Sequence, residues 1–183
     1  MGIVIDTLNS RLAGRAISGE NLPEAAVADM MQAARLTPSC YNNQPWRFLF
    51  LESDDALSKG RDALTGGNRT WAVRAPLLIV GYSCEADDCV IDDGRKYHQF
   101  DLGMAVMNLM LCATEYGLLA RPMAGFNPEK IRESFELGED YRPLVMIAVG
   151  YPSMDESHLP DYYKGLSGKP RIRKPVEEIV SRL

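Results

Sequence analysis

Residues 101–116 constrain the fold more than any other stretch. Leu102, Ala105, Val106, Leu109, Met110 and Ala113 recur at spacings of three and four, which marks one face of an α-helix. Met104, Met107, Leu111 and Cys112 cover much of the opposite face. A helix that is apolar nearly all round must be covered on both sides. It is too short and too interrupted to span a membrane, which takes roughly 20 apolar residues. It therefore belongs at the middle of the fold or in an interface between subunits. Gly117 follows as a natural stop, because a helix end favours a residue free to turn left-handed.

The segments around this helix alternate between strand and helix signals. Residues 77–81 (Leu-Leu-Ile-Val-Gly) and 144–150 (Leu-Val-Met-Ile-Ala-Val-Gly) are apolar without alternation, the pattern of strands buried on both faces. Residues 48–51 read as a third strand. A helix is predicted over 23–36, with Pro23 in its first turn and Val27, Met30, Met31 and Ala34 turned inward as core. Thr37-Pro38 ends it, since the residue before a proline avoids the α region. Ser53 is a candidate cap for a helix over 54–64, and Asn127 caps another opened by Pro128, with Ile131 and Phe135 inward. No repeat, low-complexity tract or domain-scale linker divides the 183 residues, so residues 1–183 are expected to form one domain.

Composition narrows the function classes. With 46% hydrophobic and 25% charged residues, the chain is long enough for a sizeable core. A formal net charge of -5 argues against a general nucleic-acid binder, which needs a basic face to offset phosphate. Residues 1–15 carry no charged-then-apolar leader pattern, so neither membrane nor export is expected and a cytoplasmic location is. The four cysteines (Cys40, Cys84, Cys89, Cys112) form no Cys-X-X-Cys pair, and with only His98 and His158 no metal site is expected. Cys84 and Cys89 are close enough in sequence to bridge, but reduced thiols are the expectation for a cytosolic chain. Glu85, Asp87, Asp88, Asp92 and Asp93 lack the spacing of a calcium loop and read as a solvated turn.

The chemistry-bearing stretch is the polar, proline-bounded loop Pro38-Ser39-Cys40-Tyr41-Asn42-Asn43-Gln44-Pro45-Trp46, set between a helix and a strand. It offers a hydroxyl, a thiol, a phenol and three side-chain amides, and no carboxylate or histidine. That set suits hydrogen bonding to a neutral, planar, heteroatom-rich ligand and suits acid–base hydrolysis poorly. The same residues serve equally as turn formers in a connecting loop. Two further features collect positive charge or small residues. Arg11 and Arg15 stand four apart, and from Lys164 onward six basic residues face two acids. Ala124 and Gly125 would let a flat ring approach the backbone.

Pro38, Ser39, Asn42, Gln44, Pro45 and Trp46 resemble the Pro-Ser-X-X-Asn-X-Gln-Pro-Trp segment of the FMN-dependent nitroreductase family. Arg11 and Arg15 match the ends of that family's N-terminal Arg-Arg-Ser-X-Arg motif, with Leu12 and Ala13 replacing the second arginine and the serine. At Leu12 and Ala13 only backbone contacts can therefore remain. Arg171-Ile172-Arg173-Lys174-Pro175 resembles the family's Lys/Arg-X-Arg-X-Pro tail. The resemblance runs from residue 11 to residue 180 in order. It implies an α+β fold with a central, mostly antiparallel sheet flanked by helices, in an intertwined homodimer with the flavin at the subunit interface. Arg11, Arg171 and Arg173 would grip the FMN phosphate, within a basic tail over 164–183. Arg15 would lie at the flavin N1/O2 edge, where a positive charge favours the reduced, anionic ring. Pro38, Ser39, Cys40, Asn42 and Gln44 would line the cofactor, Cys40 as packing rather than as a redox group. Pro122, Met123, Ala124 and Gly125 would place a backbone N–H against flavin N5. Tyr41 and Cys40 would border the substrate pocket.

The activity so implied is a ping-pong transfer of electrons from NAD(P)H to a nitroaromatic, a quinone or a related acceptor. No protein side chain would act as a nucleophile, because the cofactor carries the redox step. A flavin-binding protein without turnover, or a relative with dehalogenation or dehydrogenation chemistry, fits the same residues.

Overall fold

The computed structural model describes residues 2–166 and 169–183. Met1, and Ser167 and Gly168 of the basic tail, lie outside them. The order of the main elements is α1 (Ile3–Ser10), α2 (Glu24–Arg35), β1 (Trp46–Leu51), α3 (Asp54–Ala63), β2 (Leu77–Ser83), α4 (Tyr97–Glu115), β3 (Leu119–Met123), α5 (Pro128–Ser134) and β4 (Arg142–Gly150). The four strands form one sheet in the order β1-β2-β4-β3, antiparallel throughout.

The absence of alternation in β2 and β4 has a direct structural cause. Both are interior strands, and both faces of the sheet are covered. Leu77 and Ile79 of β2, with Ile147 and Val149 of β4, pack under α2 and α4. Leu78, Val80, Met146 and Ala148 point the other way, against Leu57 and Ala63 of α3, Ile131 of α5 and the buried Trp71. The result is two apolar cores separated by one sheet, which accommodates the surplus of apolar residues that the strands carry.

Helix α4 is the central helix expected around residues 101–116, and it begins earlier, at Tyr97. Its buried face includes Leu102, Ala105, Val106, Leu109, Met110 and Ala113, while Met104, Met107, Leu111 and Cys112 are half-buried on the single chain. Gly117 ends it at φ 70, and the Leu118 N–H reaches back to the Ala113 carbonyl at 3.0 Å. The caps behave as their side chains dictate: Ser53 Oγ accepts from the Ala56 N–H at 3.3 Å, and Asn127 Oδ1 from the Lys130 N–H at 3.1 Å. Pro23 sits at the cap position of α2 rather than inside its first turn. One core assignment is corrected. Met30 is fully buried, but Met31, one position round the helix, is 43% exposed. No helix among the described residues is long and apolar enough to cross a membrane.

Candidate functional site

The end of the sheet beside β3 and β4 gathers the positive charge. Residues 16–18 run beside the chain leaving β4, with the Ser153 N–H donating to the Ala16 carbonyl at 3.0 Å and the Ser18 N–H to the Tyr151 carbonyl at 2.9 Å. Gly150 makes this approach possible, because a Cβ there would lie 3.0 Å from Pro76 Cδ and 3.2 Å from the Ser18 carbonyl. The N-terminal segment is thereby laid across the sheet, and the basic tail returns to meet it. Arg171 donates to the Leu8 carbonyl at 2.8 Å, to the Asn9 carbonyl at 3.1 Å and to the Arg11 carbonyl. These are the carbonyls that the end of α1 leaves unpaired, where a cation is favoured.

The product is a cavity of about 260 Å³ lined by Arg11, Leu12, Ala13, Gly14, Ser153, Lys169, Arg171 and Arg173 among others. Among the described residues, no ion pair includes Arg11, Arg171 or Arg173. The Arg11 guanidinium is pushed below its ordinary value, first by burial and then by the charges of Arg171 and Arg173. Like charges held together in a concave site, with no acid among their ion-pair partners, concentrate a positive field there.

A second cavity, of about 450 Å³, continues from Arg11 and Ala13 to Arg121 and Pro122, with Gly103, Val106, Met107 and Met110 of α4 as its apolar wall. Arg121 lies on the edge strand β3, where its guanidinium donates to the Ala13 carbonyl and stands 5.5 Å from the Trp71 ring. Burial lowers its pKa, and the Arg15 charge lowers it further. Arg15 stacks over the Tyr163 ring at 3.9 Å, and its Nε is buried without a partner. Arg121, Ser153 and Tyr163 were not identified from sequence, and Lys169 only as one of the basic residues of the 164–183 tail. The one available signal was Arg121, an arginine inside a short and otherwise uncharged strand.

The loop at 38–46 occupies a different place. Neither cavity is lined by any of its residues. Ser39 Oγ accepts the Gln44 N–H at 2.9 Å, and Gln44 Nε2 donates to the Asn42 carbonyl at 2.9 Å, so the loop closes on itself. Tyr41, Asn42 and Gln44 all have positive φ (49°, 60° and 49°), a conformation that non-glycine residues adopt at a cost. Tyr41 is 84% exposed. Behind the loop, Oδ2 of the buried Asp101 on α4 accepts the Cys40 N–H at 3.1 Å. Burial raises the Asp101 pKa, and the Cys40 N–H opposes that shift. Asn43 Nδ2 reaches the Asp88 carbonyl at 3.0 Å, and Arg47 pairs with Asp87 at 3.3 Å.

The cysteine expectations are corrected here. Cys40 is bonded to Cys89, with the two Cα atoms 5.9 Å apart, while Cys84 and Cys112 are free. Neither the Cys84–Cys89 pairing nor a free Cys40 thiol is found. The acids around Cys89 engage cations instead: Glu85 pairs with Lys96 at 2.5 Å and Asp93 with Arg95 at 2.8 Å. Gly125 also packs closely against a neighbour within the chain. A Cβ there would lie 2.6 Å from Asn68 Nδ2, which donates to the Gly125 carbonyl at 3.1 Å, so its small size admits an asparagine. Ala124 and Pro122 are exposed, and Met123 is buried in the sheet core.

Known proteins resemble this chain along most of its length. The sequence model of the Nitroreductase family matches residues 65–151. A protein of Thermus thermophilus named NADH dehydrogenase is 26% identical over 97% of this chain and 96% of its own length. Among solved structures, a nitroreductase family protein of Clostridium difficile superposes with a TM-score of 0.80 at 26% identity, covering 99% of this chain and 98% of that one. An oxidoreductase described as containing FMN superposes with a TM-score of 0.83 at 28% identity, covering 96% and 89%.

Proposed function

We propose that this chain, which resembles the nitroreductase family in its sequence and fold, is an FMN-dependent oxidoreductase. It would take electrons from NAD(P)H and pass them to a nitroaromatic, quinone or related acceptor in a ping-pong cycle. The observation that carries this reading is the convergence of Arg11, Arg171 and Arg173 on one cavity without an acidic partner.

The residues present fit the cofactor. A phosphate monoester brings close to two negative charges, and forked guanidinium groups meet phosphate with charge-assisted bonds. Lys169 adds a point charge and Ser153 a hydroxyl in the same lining. Arg121 and Arg15 continue the positive field from the phosphate end towards Pro122 and α4. Bound FMN would supply the two-electron chemistry. The protein's part is to hold the phosphate, to present the edge of β3 and its following turn to the ring, and to exclude water with the Met107 and Met110 wall.

A homodimer belongs to the same proposal. The arginine cavities and the 38–46 loop are separate on one chain, and a second copy would bring the loop of one subunit to the arginines of the other. The half-buried outer face of α4 (Met104, Met107, Leu111) and the exposed Leu12 offer apolar surface for such an interface. The test is a titration of the purified protein with FMN, riboflavin and FAD, read by flavin fluorescence. Initial rates with NADH or NADPH and a quinone follow. Tight FMN binding and parallel double-reciprocal plots are expected. Failure to bind FMN, or a preference for FAD, rejects the reading.

A further inference from the structure

The Cys40–Cys89 bridge ties two loops that come from distant parts of the chain, at a sequence separation of 49. One is the loop whose Ser39, Asn42 and Gln44 are assigned to the flavin. The other is the acidic turn between β2 and α4. Within the first loop the conformation is costly: Tyr41, Asn42 and Gln44 hold positive φ, and only asparagine among them tolerates this well. Such backbone persists only when its surroundings over-determine it.

The tethers are few. Among the described residues, besides the bridge and the internal Ser39–Gln44 and Gln44–Asn42 bonds, they are the Cys40 N–H to Asp101 bond, the Arg47 bond to the Gln44 carbonyl, the Asn43 to Asp88 bond and the Arg47–Asp87 pair. The last two are exposed, so each contributes little on its own. The bridge is thus the covalent constraint on a strained loop that is otherwise held by hydrogen bonds. On the single chain it is also reachable, because Cys40 is half-buried at the surface while Cys89 is buried behind it.

We propose that Cys40–Cys89 is a thiol-exchange site, and that its reduction by a dithiol releases the 39–44 loop and weakens the flavin site. The exchange balances. A thiolate of the dithiol attacks Cys40 Sγ, the Cys40–Cys89 bond breaks, and Cys89 leaves as a thiolate that takes a proton from water. The second sulfur of the reductant then displaces Cys40, which is protonated in turn, and the reductant departs as a cyclic disulfide. Two electrons pass to the cysteine pair. A small-molecule disulfide reverses the process. The position of Asp101 supports this assignment: one carboxylate oxygen holds the Cys40 amide, and the other is buried without a partner. The backbone at Cys40 is therefore anchored to α4 in either state, and what is freed is the run beyond it.

This inference rests on the flavin reading for its functional consequence, and its test separates the two. The native protein is treated with graded dithiol, alkylated, and mapped by mass spectrometry. Hydrogen exchange is followed on the cofactor-free protein in both states, and FMN affinity is then measured in both. Alkylation of Cys40 and Cys89 is expected only after reduction, with Cys84 still protected by burial. Exchange over residues 39–44 should quicken on reduction. If the reduced loop is competent about a tenth of the time, apparent FMN affinity falls about tenfold. Reoxidation should restore both, and the Cys40→Ser/Cys89→Ser variant should behave as the reduced protein and ignore dithiol.

Alkylation of Cys40 and Cys89 without reductant overturns the proposal. So does reduction that occurs only with global unfolding, or unchanged loop exchange in the reduced protein. If FMN binds neither state, the flavin reading fails, and loop exchange in the cofactor-free protein still decides the thiol-exchange site.

Discussion

Arg173 is the residue at which phosphate binding separates most cleanly from stability. Arg171 does two things at once, since it also caps α1 through the Leu8 and Asn9 carbonyls. Removing it would loosen the N-terminal segment together with any ligand contact. Arg173 has no such second role: it is exposed, and its guanidinium donates at 2.7 Å to its neighbour's carbonyl, that of Ile172. Arg173→Ala should therefore leave the cofactor-free protein as stable as the parent. It should even relieve a little of the repulsion that lowers the Arg11 pKa, an effect that solvent keeps at no more than about 1 kcal/mol.

The cost appears only with ligand. Loss of one charge-assisted bond weakens binding by about 1.5–3 kcal/mol, or roughly 12- to 150-fold in Kd. Ligand linkage turns this into a thermal readout. At FMN about 100 times the parent Kd, bound ligand stabilises the parent by about 2.7 kcal/mol. A variant with Kd raised about 30-fold retains only about 0.9 kcal/mol at the same concentration. Melting of both proteins with and without FMN, beside fluorescence titrations with FMN and riboflavin, gives all the quantities needed. The loss should fall on FMN alone, because riboflavin lacks the phosphate, and the salt dependence of FMN binding should become shallower. Equal weakening of FMN and riboflavin, or no weakening of either, would refute the assignment of this cavity to phosphate.

Asn127→Ala should cost about 1 kcal/mol in urea unfolding, through loss of the Lys130 N–H cap, with FMN affinity unchanged. Gly150→Ala should cost about 1–3 kcal/mol, because the added methyl meets Ile17, Pro76 and the Ser18 carbonyl, and should loosen the segment carrying Arg15. Burial raises the Asp101 pKa in the folded state, so the native protein holds this proton more tightly than the unfolded chain does. That contribution to stability is present below the ordinary carboxylate range, near about pH 4, and is lost as pH rises through the higher folded value. Asp101→Asn, compared with the parent by chemical unfolding across pH, should gain relative stability as pH rises, and a difference independent of pH would contradict the buried carboxylate. Sedimentation equilibrium of the FMN-bound protein should give twice the 20.4 kDa chain mass, and a flavin-bound monomer would dismiss the shared site.

The parts of the fold that were legible in the sequence are those decided by local pattern. The unbroken apolar runs of β2 and β4 read as interior strands, and the double apolar face of α4 required cover on both sides, from the middle of the fold or from an interface between subunits. Ser53 and Asn127 announced their helix starts, since a cap is a bond between residues three apart. Met31 was misread because the apolar stripe of α2 is narrower than its composition: one step of about 100° carries it from the buried Met30 to solvent. The arginines at 11, 171 and 173 were found at their places in the sequence, but their convergence depends on the tail returning across α1, which no local pattern encodes. Arg121 was missed for a related reason, since its role comes from an edge strand lying beside Ala13. The cysteine pairing was the least accessible. Spacing favours neighbours such as Cys84 and Cys89, five apart, yet β2 ends and α4 begins around that stretch, and the turn between them carries Cys89 to the 38–46 loop. Which thiols meet is a property of sheet and helix packing. The loop with the densest ligand-binding chemistry is thus held in shape by a residue from a stretch that, read alone, is only a solvated acidic turn.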